Sequence, residues 1–148
     1  MKPIHFIVGT MLGSSEYVAD HLATLVPDDH EVHQHLAPDL NDFDLTIPQT
    51  WILCTSTHGA GEFPDNILNF IDQLAIQTNL KHIDYAVCAL GDTNYDTFCQ
   101  AGKTVDKMLK DRGAKQITNS LNIDVSTGEI PEDHAQNWFE QWKDKLSS

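Results

Sequence analysis

Residues 4–15 have the sequence IHFIVGTMLGSS, which is the strongest indication of the fold class in this chain. Residues 4–8 form a short apolar run that ends at Gly9, which is typical of a buried strand in a parallel sheet. A loop rich in Gly, Ser and Thr follows. Apolar residues then recur at helical spacing over 16–26, and Pro27 ends the helix. The stretch therefore predicts a strand, a polar loop and a helix in direct succession.

The alternation of strand and helix continues along the rest of the chain. Further strands are predicted over 31–36, 51–55, 83–90 and 117–125, and further helices over 66–76, 101–112 and 133–146. No repeat or linker interrupts the pattern, so we expect a single domain over 1–148. Such a pattern implies an α/β fold, with a parallel sheet covered by helices on both faces. Five strands favour a three-layer sandwich with the doubly wound strand order 2-1-3-4-5.

The composition limits the classes of function. The chain has 148 residues, of which 41% are hydrophobic, and 9 basic against 22 acidic residues give a formal net charge of -13. This charge should repel nucleic-acid backbones and anionic lipid surfaces, so neither is an expected partner. Three widely spaced cysteines form no disulfide framework and fit a reducing compartment. We see neither a signal peptide nor an apolar run of membrane-spanning length, and therefore expect a cytoplasmic protein.

Ligands of doubly wound sheets bind outside the carboxyl ends of the strands. Three loops leave those ends, which we name the first loop (9–15), the second loop (56–64) and the third loop (91–99). The first loop leads into a helix N-terminus, where free N–H groups and the helix dipole favour an anion. It matches neither GxxxxGK[ST] nor GxGxxG, so an ATP or NAD site is not indicated. Taken alone, it is explained equally well as a turn without a ligand.

The other two loops are ambiguous when each is considered alone. His58 could stack on a ring, ligate a metal or have no role, while Gly59 and Gly61 permit close backbone approach. Tyr95 could cover a planar ligand, although core packing would also explain it and explains Phe98 better.

Together the three loops resemble the FMN-binding loops of the flavodoxin family and of the FMN domains of diflavin reductases. The similar segments are GTMLGSSE at 9–16, THGAG at 57–61 and LGDTNYDTFC at 90–99. The chain is most similar to the MioC-type group of small, short-chain flavodoxins, through STHGAG at 56–61, YDTFC at 95–99 and IPED at 130–133.

The resemblance implies a flavodoxin-like fold and an FMN site, with neither catalytic residues for a substrate nor a metal site. The residues it places at the cofactor are Thr10, Met11, Leu12, Gly13, Ser14, Ser15, Ser56, Thr57, His58, Gly59, Ala60, Gly61, Leu90, Gly91, Asp92, Tyr95, Phe98 and Cys99. Two residues depart from the family pattern. Leu12 replaces a usual Thr of the phosphate loop, and His58 stands where an aromatic or apolar residue usually meets the flavin ring.

The resemblance further implies an electron carrier rather than an enzyme. Single electrons would come from a separate NADPH-dependent flavodoxin or ferredoxin reductase. They would pass to a redox enzyme, such as biotin synthase or a similar iron–sulfur enzyme. The peptide between Gly59 and Ala60 is expected to turn its carbonyl toward flavin N5–H. A monomer or weak dimer is expected.

Functions from other classes fit less well. The main alternative is an FMN-dependent oxidoreductase that acts directly on a substrate such as a quinone, for which no acid–base pair is evident. A phospho-receiver domain would need acidic residues after the first strand, and a cysteine phosphatase would need a Cys six residues before Arg112. A metal-binding module could use His30, His33 and His35, but exposed histidines on an edge strand explain them better.

Overall fold

The computed structural model describes residues 2–147. Its strands are β1 (Ile4–Gly9), β2 (Val32–His35), β3 (Gln49–Ser56), β4 (Ile83–Gly91), β5 (Lys115–Gln116) and β6 (Leu121–Asp124). Its α-helices are α1 (Ser14–Leu25), α2 (Leu68–Ala75), α3 (Gln100–Asp111) and α4 (Pro131–Glu140). Short 3-10 turns cover Leu40–Asp42, Asp65–Ile67, Val125–Thr127 and Lys143–Ser147.

All strands are parallel, and the sheet order is β2-β1-β3-β4-β5, with β6 also paired to β4. The predicted strand order is therefore confirmed. The order reverses between β1 and β3, which defines the switch point where ligands of this architecture bind.

Helices cover both faces of the sheet, as a three-layer sandwich requires. Phe6, Ile52 and Ala86 belong to a buried cluster with apolar residues of α1 and α4. The neighbouring residues Ile7 and Leu53 belong to a second cluster with residues of α2 and α3. Successive strand residues thus bury opposite faces, which is why these strands appear in the sequence as continuous apolar runs.

The predicted last strand over 117–125 is wrong in its bounds, because only β6 falls within that range and β5 lies just before it. Between them, the carbonyl of Ile117 accepts from Lys145 Nζ at 3.2 Å. The carbonyl of Asn119 accepts from Trp138 Nε1 at 3.0 Å. Side chains from the C-terminal helical region therefore hydrogen-bond to carbonyl groups that, in a continuous strand, could accept from a neighbouring strand.

The predicted helix over 133–146 also needs correction. It begins earlier, because Pro131 is well suited to a first helical position, where its missing N–H costs nothing. It ends at Glu140, where Trp142 N–H donates to the Phe139 carbonyl at 3.1 Å, three residues back. Trp142 in the following turn and Leu146 in the 3-10 segment remain buried, so the apolar pattern persists although the α-helix does not. The predicted helix over 66–76 similarly divides into a 3-10 turn and α2.

Candidate functional site

The first, second and third loops leave β1, β3 and β4 at one edge of the sheet and line a single cavity of about 440 Å³. That volume is within the roughly 300–1,000 Å³ range usual for small-molecule sites. The cavity is lined by Met11, Leu12, Ser14, Ser56, Thr57, Gly59, Leu90, Gly91, Asp92, Tyr95, Thr97, Phe98 and Val125.

The first loop is a tight turn closed by a hydrogen bond from its backbone to the side chain of Thr10. The hydroxyl oxygen of Thr10 accepts from Gly13 N–H at 2.8 Å. Gly13 has a φ of 95° and is the residue before α1, so no side chain caps the N-terminus of this helix. Ser14 follows as the first helical residue and lines the cavity.

This end of the cavity suits an anion. The first N–H groups of a helix have no partner within it, and α1 presents them beside the Ser14 hydroxyl. In the described part of the chain, no Lys, Arg or His lines the cavity, so the donors there are neutral. An anionic group would therefore be held by hydrogen bonds and the helix dipole rather than by an ion pair.

The second loop forms a small hairpin. His58 and Glu62 exchange backbone hydrogen bonds, each of 2.8 Å. The carbonyl of Gly59 accepts from the Thr97 hydroxyl at 3.1 Å, and the hydroxyl oxygen of Thr57 accepts from Ala101 N–H at 3.1 Å. The third loop and the start of α3 therefore hold the second loop in place.

The third loop carries the aromatic side of the cavity. Tyr95 is 66% exposed and Phe98 is half-buried, and both line the cavity. Asp92 accepts from Asn94 N–H at 2.8 Å and begins the turn that presents Tyr95. An exposed aromatic ring at the edge of a cavity is available to stack on a planar ligand.

The third loop is tied to the end of β6 by Asp124. Its carboxylate accepts from the Thr93 hydroxyl at 2.6 Å and from the Ser126 hydroxyl at 2.7 Å. These hydrogen bonds stabilise the ionised form, so the pKa of Asp124 lies well below its usual range. The carboxylate therefore anchors the loop that carries Tyr95 at neutral pH.

Seven predicted cofactor residues do not line the cavity: Thr10, Gly13, Ser15, His58, Ala60, Gly61 and Cys99. Ser15 is buried, and its hydroxyl forms a 2.7 Å hydrogen bond with the hydroxyl of Ser56. Cys99 is buried, and its thiol donates to the Ala89 carbonyl at 3.5 Å. Burial raises the pKa of Cys99 to about 11, so it stays a neutral core thiol at neutral pH. His58 lies in the hairpin that pairs it with Glu62.

The predicted set omitted two lining residues, Thr97 and Val125. Thr97 lies in the third loop only two residues after Tyr95, and this proximity could have identified it as a candidate lining residue. Val125 follows β6 directly, so the rule that ligands bind beyond the carboxyl ends of strands pointed to it.

The histidines considered as metal ligands form no such centre. Within residues 2–147, no group of three or more His, Cys, Asp or Glu side chains is arranged to hold a metal ion. His33 and His35 pack near each other on β2, with ring centroids 6.4 Å apart. In the same described range, no helix is long and apolar enough to cross a membrane.

Comparison with known proteins agrees with this geometry. The flavodoxin family model matches residues 7–138. Protein MioC of Escherichia coli strain K12 is 37% identical over 147 residues, covering 99% of each chain. Flavodoxin YqcA of the same strain is 36% identical over 152 residues, covering 99% of this chain and all of the relative. A solved C101A mutant of a flavodoxin from Pseudomonas aeruginosa superposes with a TM-score of 0.90 at 27% identity, covering both chains fully.

These relatives match almost the whole chain, and the family model spans all three loops. The neutral anion-binding end and the exposed aromatic suit FMN, which combines a phosphate with a planar ring. The chain therefore belongs to the flavodoxin family, whose members are FMN-binding electron carriers.

Proposed function

We propose that the cavity formed by the three loops binds FMN and that the protein shuttles single electrons between separate proteins. The main support for the proposal is that the three loops line one cavity. One part of this cavity has neutral hydrogen-bond donors, and another part has the exposed ring of Tyr95. Bound FMN supplies the one-electron chemistry, and the protein sets its environment. The α1 N-terminus and Ser14 would hold the phosphate, while Tyr95 and Phe98 would contact the ring system.

The charges near Tyr95 favour a low reduction potential. The electron-rich face of Tyr95 disfavours additional negative charge on a stacked ring. Asp92 lines the cavity, and Glu62 and Asp96 are exposed on the adjoining loops. Their carboxylates repel added negative charge, so the chain favours electron donation at low potential.

A hydrogen bond of the second loop would also influence how easily the flavin accepts its first electron. The Gly59 carbonyl, which we expect to turn toward flavin N5–H, accepts from Thr97 in this structure. Turning the Gly59–Ala60 peptide would require release of that hydrogen bond. Thr97 would therefore oppose the turn and influence how easily the first electron is accepted.

The composition of the cavity favours a carrier over an enzyme. General acid–base catalysis needs a proton donor or acceptor positioned at the substrate. Among residues 2–147, Asp92 is the only lining residue with a charged side chain, and it already accepts from Asn94 N–H. We therefore place the protein among carriers without substrate turnover of their own.

The acidic surface supports basic redox partners. A net charge of -13 accelerates encounter with proteins of opposite charge. We propose an NADPH-dependent flavodoxin or ferredoxin reductase as donor. The resemblance to the MioC group supports an iron–sulfur enzyme such as biotin synthase as acceptor. We further propose a cytoplasmic protein that is a monomer or weak dimer.

Two measurements test this function. Chromatography of the extracted cofactor should identify FMN, and flavin-free protein should take up FMN but not FAD. NADPH oxidation should depend on added reductase, even when a quinone is present. Recovery of FAD, or the absence of flavin uptake, would contradict the cofactor assignment. Reductase-independent turnover of a quinone would instead establish the oxidoreductase alternative.

A further inference from the structure

Asn66 lies in the 3-10 turn before α2 and does not line the cavity, yet its side chain joins three segments of the chain. Its Oδ1 accepts from Thr10 N–H at 2.9 Å. Its Nδ2 donates to the Val8 carbonyl at 2.6 Å and to the Leu36 carbonyl at 2.9 Å. One amide therefore connects the end of β1, the start of the first loop and the segment after β2.

These hydrogen bonds continue into the anion-binding turn. Asn66 holds the backbone N–H of Thr10, and the hydroxyl oxygen of Thr10 accepts from Gly13 N–H at 2.8 Å. Gly13 directly precedes α1, and its carbonyl accepts from Tyr17 N–H at 3.0 Å. A displacement of Asn66 would thus reach the helix N-terminus through two consecutive hydrogen bonds.

Packing beside Asn66 leaves the loop little room to compensate. A Cβ on Gly9 would lie 2.4 Å from Thr55 Oγ1 and 2.8 Å from Ile67 Cδ1. Gly9 is therefore enclosed between β3 and the turn that carries Asn66. The chain is fixed sterically at Gly9 and by hydrogen bonding at Thr10, so the first loop starts from one defined position.

We propose that Asn66 is a positioning residue that sets the first loop for the FMN phosphate without touching the cofactor. The proposal rests on the function proposed above. Only an amide both accepts from Thr10 N–H and donates to two carbonyls, so a carboxylate or an aliphatic side chain of similar size cannot replace it. Preorganised donors bind an anion more tightly because the loop need not be ordered upon binding.

The test compares FMN with riboflavin, which lacks the phosphate. Full-length protein freed of flavin is titrated with each ligand, for wild type and Asn66→Ala. FMN affinity should fall about tenfold, as expected when the donors of a charged group are disordered. Riboflavin affinity should change by less than about twofold, because the ring-binding loops are untouched.

Gln73→Ala is the matched control. Gln73 on α2 also contacts the segment after β2, accepting from Leu40 N–H and donating to Asp39, both at 2.7 Å. Within residues 2–147 no hydrogen bond joins Gln73 to the first loop, so its loss should lower stability without changing the ratio of FMN to riboflavin affinity. If Asn66→Ala folds too poorly for titration, Asn66→Gln keeps the amide but displaces it and should change the ratio in the same direction.

The outcomes separate the inference from the function on which it rests. One contrary result is that the Asn66 variants lose FMN and riboflavin affinity equally, and another is that Gln73→Ala changes the ratio as much as they do. Either result would show that Asn66 stabilises the fold in general and does not position the first loop for the phosphate. Wild-type protein that binds neither ligand, or binds both equally well, would overturn the proposed FMN site and the inference with it.

Discussion

At the scale of single residues, Tyr95 is the side chain with the most direct expected effect on the cofactor. It lines the cavity while 66% exposed, so it makes little contribution to the core. Tyr95→Ala should weaken FMN binding by about 1–3 kcal/mol, as stacked aromatic–base contacts do. It should also raise the potential of the fully reduced couple, because the electron-rich ring face is removed.

Titration of flavin-free protein followed by potentiometry measures both effects of Tyr95→Ala. His58→Ala is a suitable comparison from the neighbouring loop, because His58 does not line the cavity. Its effect should be smaller on both quantities. Unchanged affinity and potential in Tyr95→Ala would show that the exposed ring does not stack on the flavin.

At the scale of elements, the pairing of β1 with β2 brings three histidines together. His5 stacks on His33 with ring centroids 5.2 Å apart, and His5 Nδ1 lies 2.9 Å from His35 Nε2. Burial, and then the neighbouring His35 and His33, lower the pKa of His5 from 6.5 to about 4. Burial, and then His33, also lower the pKa of His35. The carboxylate of Glu31 raises the pKa of His5, and that of Asp42 raises the pKa of His35, but neither reverses the shift.

The histidines at this sheet edge should make stability fall in mild acid. Below pH 6.5 the unfolded chain takes up a proton at His5, whereas the folded chain does so only near pH 4, so stability decreases as pH falls through this window. The expected loss from His5 between pH 7 and pH 5 is about 1 kcal/mol, discounted because the ring is partly exposed. Urea unfolding at both pH values should show a smaller loss in His5→Phe. An equal loss in the two proteins would contradict the assignment to His5.

At the scale of the whole molecule, the negative charge should guide redox partners to the cavity. Glu62 and Asp96 are exposed on loops at the cavity, whereas Asp28 and Asp29 are exposed beyond the end of α1, before β2 begins. The first pair therefore lies near the carboxyl ends of the strands and the second near their amino ends. Each pair can be neutralised to Gln or Asn with the same change in net charge.

Neutralising Glu62 and Asp96 should slow reduction by a basic reductase about two- to fivefold at low salt and reduce its salt dependence. Neutralising Asp28 and Asp29 should have a smaller effect, since the screening length at 0.15 M is about 8 Å. Stopped-flow rates at several salt concentrations measure the difference. If the two variants have identical rates and identical salt dependence, the negative charge serves solubility and does not guide partners to the cavity.

The architecture and the three loops of the site could be predicted from local patterns in the sequence. Buried parallel strands require continuous apolar runs, and helices require apolar residues at their own period, so the elements and their order follow from local patterns. The positions of the loops at one sheet edge then follow from the parallel order. Gly91 and Tyr95 could accordingly be placed at the cavity from the sequence, whereas Leu90 was placed there by the family resemblance.

The bounds of β5 and β6, and the choice of loop residues that line the cavity, depend on tertiary contacts. Between β5 and β6, Trp138 and Lys145 donate to the carbonyls of Asn119 and Ile117, across 19 and 28 residues. Asn66 reaches Thr10 across 56 residues and contributes no local pattern that would reveal it. Local periodicity reports which face a residue shares with its neighbours, whereas these contacts arise between segments that only the completed fold brings together.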